Sequence, residues 1–368
     1  MTDVKRTRHP FHMYDAIRAQ PDAFARVADR HDAALERFAT SIASCERVFL
    51  VGIGTSGHAA QVGEHLLRTY GGGLPVYACP SFDFALYGPP LTQKDCVIGI
   101  SHRGNKNYTV ESLARARAAG CRTALVTGEG GPGVKPDADA VFETVPQEPS
   151  STHTISYVGA LAALAVLAGH LGRHRSGTRL LPARVVSQDV PAALREALTR
   201  EDEMASWART HLRRRRIWLT GGGPSAVTAL EIALKIKEAA YLQAEGLAIE
   251  TFLHGPFQCA EPDDAFVLIA PAGAARARVV ELGGMVPEVG AAYLVVTDAV
   301  TEDTPHGFRA GAAGWCTVPA VPEPFTALTC LVPLQLFSYH LALERDTNPD
   351  VFRLDDPRFA RARARITL

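Results

Sequence analysis

Short apolar runs alternate with stretches of helical character in the first half of the chain. The helical stretches are 56–70 and 108–119, and a longer apolar helix is predicted at 152–171. The runs of strand length are 47–53, 74–80, 95–101, 122–128 and 139–145. Short buried strands that alternate with helices are typical of βαβ units, which build a parallel sheet.

The second half repeats this order. A run at 216–223 ends in glycines and opens a predicted helix, 225–245, and a long apolar helix at 326–346 contains Pro333, which is expected to kink it. The other runs of strand length are 265–273, 292–298 and 315–321. The shared order indicates an internal duplication. The predicted fold class is therefore α/β, with two tandem doubly wound five-stranded parallel sheets in flavodoxin-like order.

The length of 368 residues suits two domains. A linker rich in arginine and proline, 172–191, separates the two halves. The predicted organisation is an N-terminal helical segment (1–45), a first domain (46–172), a linker and helix (173–209), a second domain (210–346) and a C-terminal tail (347–368).

The charges nearly balance, with 38 basic and 39 acidic residues. Affinity for a phosphate backbone requires a basic excess, so no nucleic-acid partner is expected. One basic run, 213–216, precedes the apolar stretch 217–220. We interpret this run as the solvated lead-in to a strand, with an anion or subunit contact as the alternative.

The remaining composition indicates a soluble cytoplasmic protein. The seven cysteines form no C-x-x-C pair and are predicted to be buried, reduced thiols, and no metal site is predicted. The longest apolar segment, 158–169, is shorter than the roughly 20 residues that a membrane span requires. Residues 1–15 lack the apolar core of a signal peptide, so no membrane partner is expected.

A glycine-rich turn, 52-GIGTSG-57, joins the first strand to its helix. Glycine lets the backbone approach a ligand closely, Thr55 and Ser56 offer hydroxyls, and the helix start offers free N–H groups. Gly52, Gly54 and Gly57 match the spacing of a dinucleotide-binding turn. The next strand, 74–80, lacks the acidic residue that such a site needs, so no nicotinamide cofactor is expected.

A second turn, 101-SHRGNKN-107, follows a strand that is predicted to lie in the same sheet. The carboxyl ends of parallel strands share one rim, so both turns are expected to face one ligand. Lys106 in the first turn of a helix opposes the helix dipole, which favours a bound anion beside Arg103 and Lys106. The alternative is that both cations simply lie on a solvated helix start. The turn 221–225 is expected at the corresponding rim of the second half.

Two pairs of segments resemble the sugar isomerase (SIS) domain family, and more narrowly the double-SIS isomerase half of glucosamine-6-phosphate synthases. The first pair is 50-LVGIGTSGHAAQVGEHLL-67 and 98-IGISHRGNKNYTVESL-113. The second pair is 229-ALEIALKIKEAAYLQAEGLAIETFLHGP-256 and 332-VPLQLFSYHLALERDTNPDVFRLDDPR-358. The likeness covers about residues 12–358.

The resemblance implies a binding site for a phosphorylated sugar. The positions it assigns to phosphate and sugar contacts are Gly54, Thr55, Ser56, Ser101, His102 and, near the reactive end of the sugar, Ser151. Where the family usually has Ser-Gly-Glu-Thr, this chain has Arg103, Gly104, Asn105 and Lys106. The site is thus more positive than usual, and the anion can be a phosphate, a sulfonate or a carboxylate.

The resemblance also implies three catalytic residues, Lys235, Glu238 and His254, with Glu245 as a supporting acid and no cofactor. Lys235 and Glu238 are three residues apart and share a helix face, where an exposed surface pair is the alternative. A carboxylate can move a proton between C1 and C2 of a sugar, and His254 can open the sugar ring. In the family this histidine reaches a second subunit, which implies a homodimer; the alternative is a loop histidine that caps backbone.

Two departures from the family affect the tail and the N-terminus. The family's tail lysine, which lies over the sugar, is absent, and Arg361 or Arg363 is the candidate replacement. Thr2 stands where the synthases have a nucleophilic cysteine, so glutamine-dependent amide transfer is not expected.

The function we infer from the sequence is a phosphosugar aldose–ketose isomerase or a deaminase-isomerase. The first alternative is a deglycase that releases an amine from a fructosamine phosphate. The second is a sensor that binds a phosphosugar without turning it over. SIS sensors usually carry a basic DNA-binding helical domain, whereas the segment 1–45 is short and not strongly basic.

Overall fold

The computed structural model describes residues 5–131, 138–211, 214–298 and 306–366. Arg213 of the basic run, residues 1–4 of the N-terminal segment and residues 367–368 of the tail lie outside the described residues. Two compact units make up the chain. One comprises Ala19–Glu148 and His153–Pro191, and the other comprises residues 5–18, 149–152 and 192–366. Helix α1 (His12–Arg18) belongs to the latter unit.

The unit that contains the first repeat holds a five-stranded parallel sheet. Its helices are α2 (Gln20–Ile42), α3 (Thr55–Tyr70), α4 (Ser81–Tyr87), α5 (Asn107–Ala118) and α6 (Ile155–Ser176), followed by a π-helical turn, Val185–Asp189. Its strands are β1 (Arg47–Gly52), β2 (Val76–Pro80), β3 (Asp95–Ser101), β4 (Arg122–Glu129) and β5 (Ala140–Pro146). The strand order is β2-β1-β3-β4-β5. Helix α7 (Val190–Ala197) follows in the chain.

The second repeat forms another five-stranded parallel sheet. Its strands are β6 (Ile217–Gly221), β7 (Ala244–Ala248), β8 (Ala265–Ile269), β9 (Ala292–Thr297) and β10 (Gly314–Thr317), in the order β10-β9-β8-β6-β7. Its helices are α8 (Glu201–His211), α9 (Pro224–Ala240), α10 (Ile249–Leu253), α11 (Arg276–Met285), α12 (His306–Gly311), α13 (Glu323–Thr329), α14 (Leu331–Glu344) and α15 (Pro357–Arg363). Short 3₁₀ turns lie at Leu198–Arg200, Pro256–Cys259 and Pro287–Val289.

The two sheets have the same topology. In each sheet the first strand of the repeat lies between the second and the third, and the fourth and fifth follow outward. This is the 2-1-3-4-5 order of flavodoxin-like sheets. The predicted fold class, including the duplication, is confirmed.

Two helical segments, Ile155–Ser176 and Glu323–Glu344, are long and apolar enough to cross a membrane by length and composition. Their apolar windows are 94% and 89% buried inside the protein. A helix that is apolar on all sides is either a membrane span or a core helix, and burial of this extent is typical of a core helix.

Several elements of the structure differ from the predicted ones. Helix α9 ends at Ala240, and residues 244–245, which were predicted to be helical, belong to strand β7. Helices α4, α10, α11, α12 and α15 were not predicted. The closing helix is interrupted at Cys330, three residues before Pro333. Proline has no N–H to donate to the carbonyl four residues earlier, and this explains why the interruption lies on the amino side of Pro333.

The cysteines differ in exposure. Cys45, Cys96, Cys121, Cys316 and Cys330 are buried free thiols, as predicted. Cys79 is half-buried and Cys259 is exposed, which corrects the prediction for these two residues. Cys259 ends the 3₁₀ turn Pro256–Cys259, in which no residue is buried.

Candidate functional site

The turn between β1 and α3 requires glycine at two positions for different reasons. A Cβ atom on Gly52 would lie 2.5 Å from the carbonyl oxygen of Ser56, so the close approach of strand and helix excludes a side chain. At Gly54 there is open space, but the backbone has φ +58° and ψ −133°, which L-residues rarely adopt. This turn directs the first N–H groups of α3, together with Thr55 and Ser56, toward the rim of the sheet.

The turn between β6 and α9 has the same construction. Gly223 has φ +55° and ψ −128°, and a Cβ atom on Gly221 would lie 2.8 Å from Ser225. Pro224 occupies the position that corresponds to Thr55, and it has neither a hydroxyl nor an N–H group to donate. The first repeat therefore offers more donors to an anion than the second.

The second predicted anion-binding turn follows β3. The carbonyl of Ser101 accepts a hydrogen bond from the N–H of Gly104 (2.9 Å), which has φ +72°. The hydroxyl of Ser101 is buried and has no hydrogen-bond partner among the described residues. Arg103 is exposed and forms no ion pair with any residue that the structure describes, and Lys106 lies half-buried at the start of α5. The turn thus presents a hydroxyl and cationic side chains together.

Hydrogen bonds to its backbone carbonyl and to its ring hold His102 in position. Its carbonyl accepts hydrogen bonds from the N–H of Gly128 (2.8 Å) and from Nε2 of Gln147 (2.9 Å). Its ring Nε2 accepts a hydrogen bond from the N–H of Glu148 (3.0 Å), so the proton of the neutral ring lies on Nδ1. Nδ1 is buried and has no partner within the described part of the chain.

Burial lowers the pKa of His102, and nearby Arg103 lowers it further, although Glu148 opposes this shift. The residue is only 8% exposed. The neutral imidazole, with its proton on Nδ1, is therefore the favoured form.

Glu148, which the sequence interpretation missed, supports this arrangement. Its buried carboxylate accepts hydrogen bonds from the N–H groups of Thr154 (2.9 Å) and Ser156 (3.0 Å) at the start of α6. Burial, the largest influence, raises the pKa of Glu148, but His153 and these hydrogen bonds outweigh it and lower the pKa. An acidic residue just before a predicted helix was the available signal, because a carboxylate stabilises a helix N-terminus.

A small cavity brings several of these groups together. Its volume is about 20 Å³, the room for roughly one water-sized group. The rings of His102 and His153 are perpendicular there, with centroids 5.0 Å apart. Arg103 and Lys106 are not among the residues that line it. The polar side chains that line it are Thr55, Ser56, His102, Thr127, Thr144, His153, Ser156 and Tyr157.

Lys235 and Glu238 are in contact on α9, as their spacing predicted. Nζ of Lys235 lies 2.6 Å from Oε2 of Glu238 and 3.4 Å from Oε1 of Glu231. The side chains of Lys235 and Glu231 are 1% and 0% exposed, whereas Glu238 is 18% exposed. The alternative of an exposed surface pair is therefore wrong. Glu231, one helical turn before Lys235, was not identified from the sequence.

Glu238 is the solvent-facing member of this network. A buried ammonium is tolerated only when it is paired, and here it has two carboxylates. Glu238 also lines a cavity of about 380 Å³. The other residues that line this cavity are Lys237, Tyr241, Leu242, Gln243, Phe352, Arg353 and Phe359.

His254 lies apart from this cavity's lining. It ends α10, its side chain is 75% exposed, and its Nδ1 lies 2.7 Å from the carbonyl oxygen of Glu250. Glu250 also pairs with Arg278 (2.5 Å). Glu245 is half-buried on β7. That His254 reaches a second subunit stays a prediction.

The predicted residues outside the two repeats are placed as follows. The N–H of Ser151 donates to the carbonyl of Asp350 (2.9 Å), so Ser151 lies against the tail. Arg361 and Arg363 are exposed on α15 and do not line the cavity that contains Glu238. The tail arginine that does line it is Arg353, which the sequence interpretation missed. Its sequence signal was weak, because it lies before Pro357-Arg358, whereas the family's tail lysine follows that pair.

The two repeats both match one protein family. The SIS domain is recognised at residues 41–168 and again at residues 212–345. The chain belongs to the SIS domain family. The first SIS domain carries the turns around Ser56 and His102, and the second SIS domain carries Lys235, Glu238 and His254.

Individual relatives agree with this assignment. The chain is 29% identical over 324 residues to the glutamine–fructose-6-phosphate aminotransferase [isomerizing] of Gloeobacter violaceus, an alignment that covers 84% of this chain and 51% of the relative. This SIS chain therefore spans about half the length of the curated relatives it matches.

Solved structures show the same double-SIS fold. The C-terminal domain of glucosamine-fructose-6-phosphate aminotransferase from Francisella tularensis superimposes with a TM-score of 0.82 at 19% identity, covering 95% of this chain and 99% of that one. Tagatose-6-phosphate ketose/aldose isomerase from Escherichia coli gives 0.78 at 18% identity, covering 95% and 96%. At these identities the likeness shows the fold.

The described parts of both SIS domains contain no group of three or more His, Cys, Asp or Glu side chains that could hold a metal ion.

Proposed function

We propose that the protein is a phosphosugar aldose–ketose isomerase that moves a proton between C1 and C2 of an open-chain sugar. The observation that carries the proposal is the Lys235–Glu238 pair, in which a buried ammonium lies 2.6 Å from a carboxylate at the edge of a cavity. The names of the relatives supply the substrate class, since one acts on fructose 6-phosphate and another is a ketose/aldose isomerase.

The first SIS domain anchors the anionic group of the sugar. The N–H groups at the start of α3, the hydroxyls of Ser56 and Ser101 and the N–H of His102 are the donors. Arg103 and Lys106 add positive charge to this rim. The unpartnered Ser101 hydroxyl and His102 Nδ1 support this role, because buried polar groups rarely lack partners unless a ligand supplies them.

Glu238 performs the proton transfer. Its carboxylate takes the proton from C2 of the aldose, and the electrons of that C–H bond form the C1–C2 double bond while the C1 carbonyl oxygen gains a proton. The enediol then loses its C2 hydroxyl proton, C1 receives a proton, and the ketose results. The Lys235 ammonium keeps Glu238 ionised, as its base role requires.

A 2-amino sugar follows the same path to a different product. Loss of the C2 proton then gives an enolamine, and protonation at C1 gives an imine at C2. Water hydrolyses this imine to the ketose and ammonia, so a deaminase-isomerase needs the same Glu238.

We also propose a cytoplasmic homodimer in which His254 opens the sugar ring at the neighbouring subunit's site, since the side chain of His254 is exposed.

The test is solvent exchange in D₂O across a panel of hexose and aminohexose phosphates. The wild-type protein should introduce deuterium at C1 or C2 of at least one substrate. Glu238→Gln should slow this exchange by about 10²- to 10⁴-fold while the sugar phosphate still binds. Glu288→Gln, on an exposed turn of the same domain, is the matched control.

Absence of exchange for the whole panel with the wild-type protein would overturn the proposal. Exchange at the wild-type rate in a folded Glu238→Gln protein would also overturn it. Ammonia release from the aminohexose phosphates separates the deaminase-isomerase from the simple isomerase.

A further inference from the structure

The cavity that contains Glu238 also contains a cation for which the proposed proton transfer has no use. Arg353 lines this cavity and forms no ion pair with any of the described residues. Two acids follow it closely in sequence. Asp355 is exposed and forms no ion pair with it among the described residues. Asp356 pairs with Arg358, with 2.7 Å between Oδ2 and the guanidinium, and the positive charges of both arginines help to lower its pKa. The guanidinium of Arg353 thus has no direct carboxylate partner in the described part of the tail.

The guanidinium group of Arg353 packs against two aromatic rings. Its central carbon lies 4.3 Å from the ring centroid of Phe359 and 5.4 Å from that of Tyr241. A guanidinium group that stacks on aromatic faces still offers the N–H groups along its edge. An acceptor must then approach in the plane of the group, which suits a planar carboxylate that accepts two parallel hydrogen bonds.

The backbone around Arg353 is unusual in the same place. Tyr241, Phe352 and Arg353 all have left-handed backbones, with φ of 52°, 48° and 57°, and all three line the cavity. The N–H of Arg353 donates to the hydroxyl of Tyr241 (2.7 Å), which ties the tail to the end of α9. Non-glycine residues keep such conformations mainly at functional sites, where the surroundings enforce them.

The charge balance of the cavity favours an anionic ligand. The carboxylate of Glu238 is already paired with Lys235, whereas Arg353 and the exposed Lys237 add positive charge. A volume of about 380 Å³ lies within the range of small-molecule sites. A ligand with several atoms beyond the reacting carbon therefore fits.

We propose that Arg353 forms a subsite for a carboxylate on the part of the ligand next to the carbon that Glu238 serves. The ligand class is a sugar phosphate whose reactive end carries an amino acid, joined through the amino nitrogen. This inference rests on the proposed function, because it takes Glu238 as the group that faces the reacting carbon.

The experiment compares two synthetic ligands by calorimetric titration: the 6-phosphate of a fructosyl adduct of glycine, and the matching adduct of glycinamide. The wild-type protein should bind the glycine adduct at least about tenfold more tightly, since one charge-assisted bidentate contact separates the two ligands. Arg353→Ala should abolish this preference, and Arg353→Lys should restore part of it. Arg365→Ala, which removes an exposed arginine from the same tail, should preserve it in full.

Equal binding of both adducts by the wild-type protein would overturn the inference, as would an undiminished preference in Arg353→Ala. An equal loss of affinity for both adducts in Arg353→Ala would mean that Arg353 holds the phosphate, and it would overturn the carboxylate subsite. Should Arg353→Ala fail to fold, Arg353→Lys and Phe359→Leu give the same comparison, and each should reduce the preference.

The result is distinguishable from a failure of the proposed function. If hexose phosphates exchange deuterium with wild-type protein but neither adduct is preferred, the isomerase stands and the subsite falls. If the glycine adduct is preferred but no sugar phosphate exchanges deuterium, the subsite stands and the isomerase falls.

Discussion

At the scale of single residues, the site depends on protonation states that contacts enforce. His102 donates from Nδ1 because the N–H of Glu148 occupies Nε2, and burial lowers the pKa of the ring. The sequence placed His102 in the anion-binding turn. It could not reveal the contact with Glu148, because that contact depends on how β5 and α6 bring residues 46 positions apart together. The contact between Lys235 and Glu238 was predictable, since helix geometry places them on one face, whereas their place in the site came from the family resemblance.

The lowered pKa of His102 predicts how stability depends on pH. The unfolded chain binds a proton on this histidine near pH 6.5, whereas the folded protein resists it until the pH is lower. The contribution is therefore fully present above about pH 6.5 and is lost as the pH falls toward the folded pKa. His31, His211 and His340 are shifted in the same direction for the same reason.

Thermal unfolding of the wild-type protein and of His102→Asn between pH 7.5 and 5.5 measures this effect. The wild-type melting temperature should fall as the solution becomes more acidic. The fall should be smaller in His102→Asn, because one of the four lowered histidines is gone. A variant whose melting temperature falls as steeply as that of the wild type would show that His102 is protonated equally in both states.

At the scale of elements, each repeat depends on one glycine that starts its first long helix. Gly54 and Gly223 have nearly the same backbone angles, and a Cβ atom would meet nothing within 4 Å at either position. Replacement by alanine should therefore cost strain alone, about 1–3 kcal/mol in each domain. Only Gly54→Ala should also weaken binding of a sugar phosphate, because only that turn faces the proposed anion.

Chemical denaturation and ligand titration of Gly54→Ala and Gly223→Ala test this prediction. Gly284→Ala is the control, since Gly284 lies on α11 in an ordinary helical conformation with open space around it. It should be neutral or stabilise the protein by up to about 1 kcal/mol. Equal losses of sugar-phosphate affinity in both turn variants would contradict the assignment of the anion to the first domain.

Most elements were predictable from the sequence because their apolar periodicity is strong. Strands β1, β3, β6 and β8 are nearly continuous buried runs, which only a doubly covered parallel sheet explains. Strand β7, with the sequence AEGLA, was missed because its small and charged residues resemble the end of the preceding helix. This strand packs closely against α9 and requires glycine at one position, because a Cβ atom on Gly246 would lie 2.2 Å from the carbonyl oxygen of Ala229.

At the scale of the whole molecule, the two SIS domains share one fold but carry different polar groups. Both SIS domains keep the same sheet order and the same glycine turn, yet donors to an anion concentrate in the first and the Lys235–Glu238 pair lies in the second. The central proposal is that the first domain binds the anionic group of a sugar and that Glu238 of the second domain moves its proton.

The most direct test of this claim compares the dissociation constants of a sugar phosphate and of its neutral, unphosphorylated analogue. The wild-type protein and the double variant Arg103→Ala with Lys106→Ala are titrated with both ligands. Arg122→Ala controls for the loss of positive charge, because Arg122 lies at the amino end of β4, at the sheet edge opposite the anion-binding turns. We predict that the double variant weakens binding of the phosphate by about tenfold or more and leaves the neutral analogue within about twofold. Equal weakening of both ligands, or no change for the phosphate, would contradict the account.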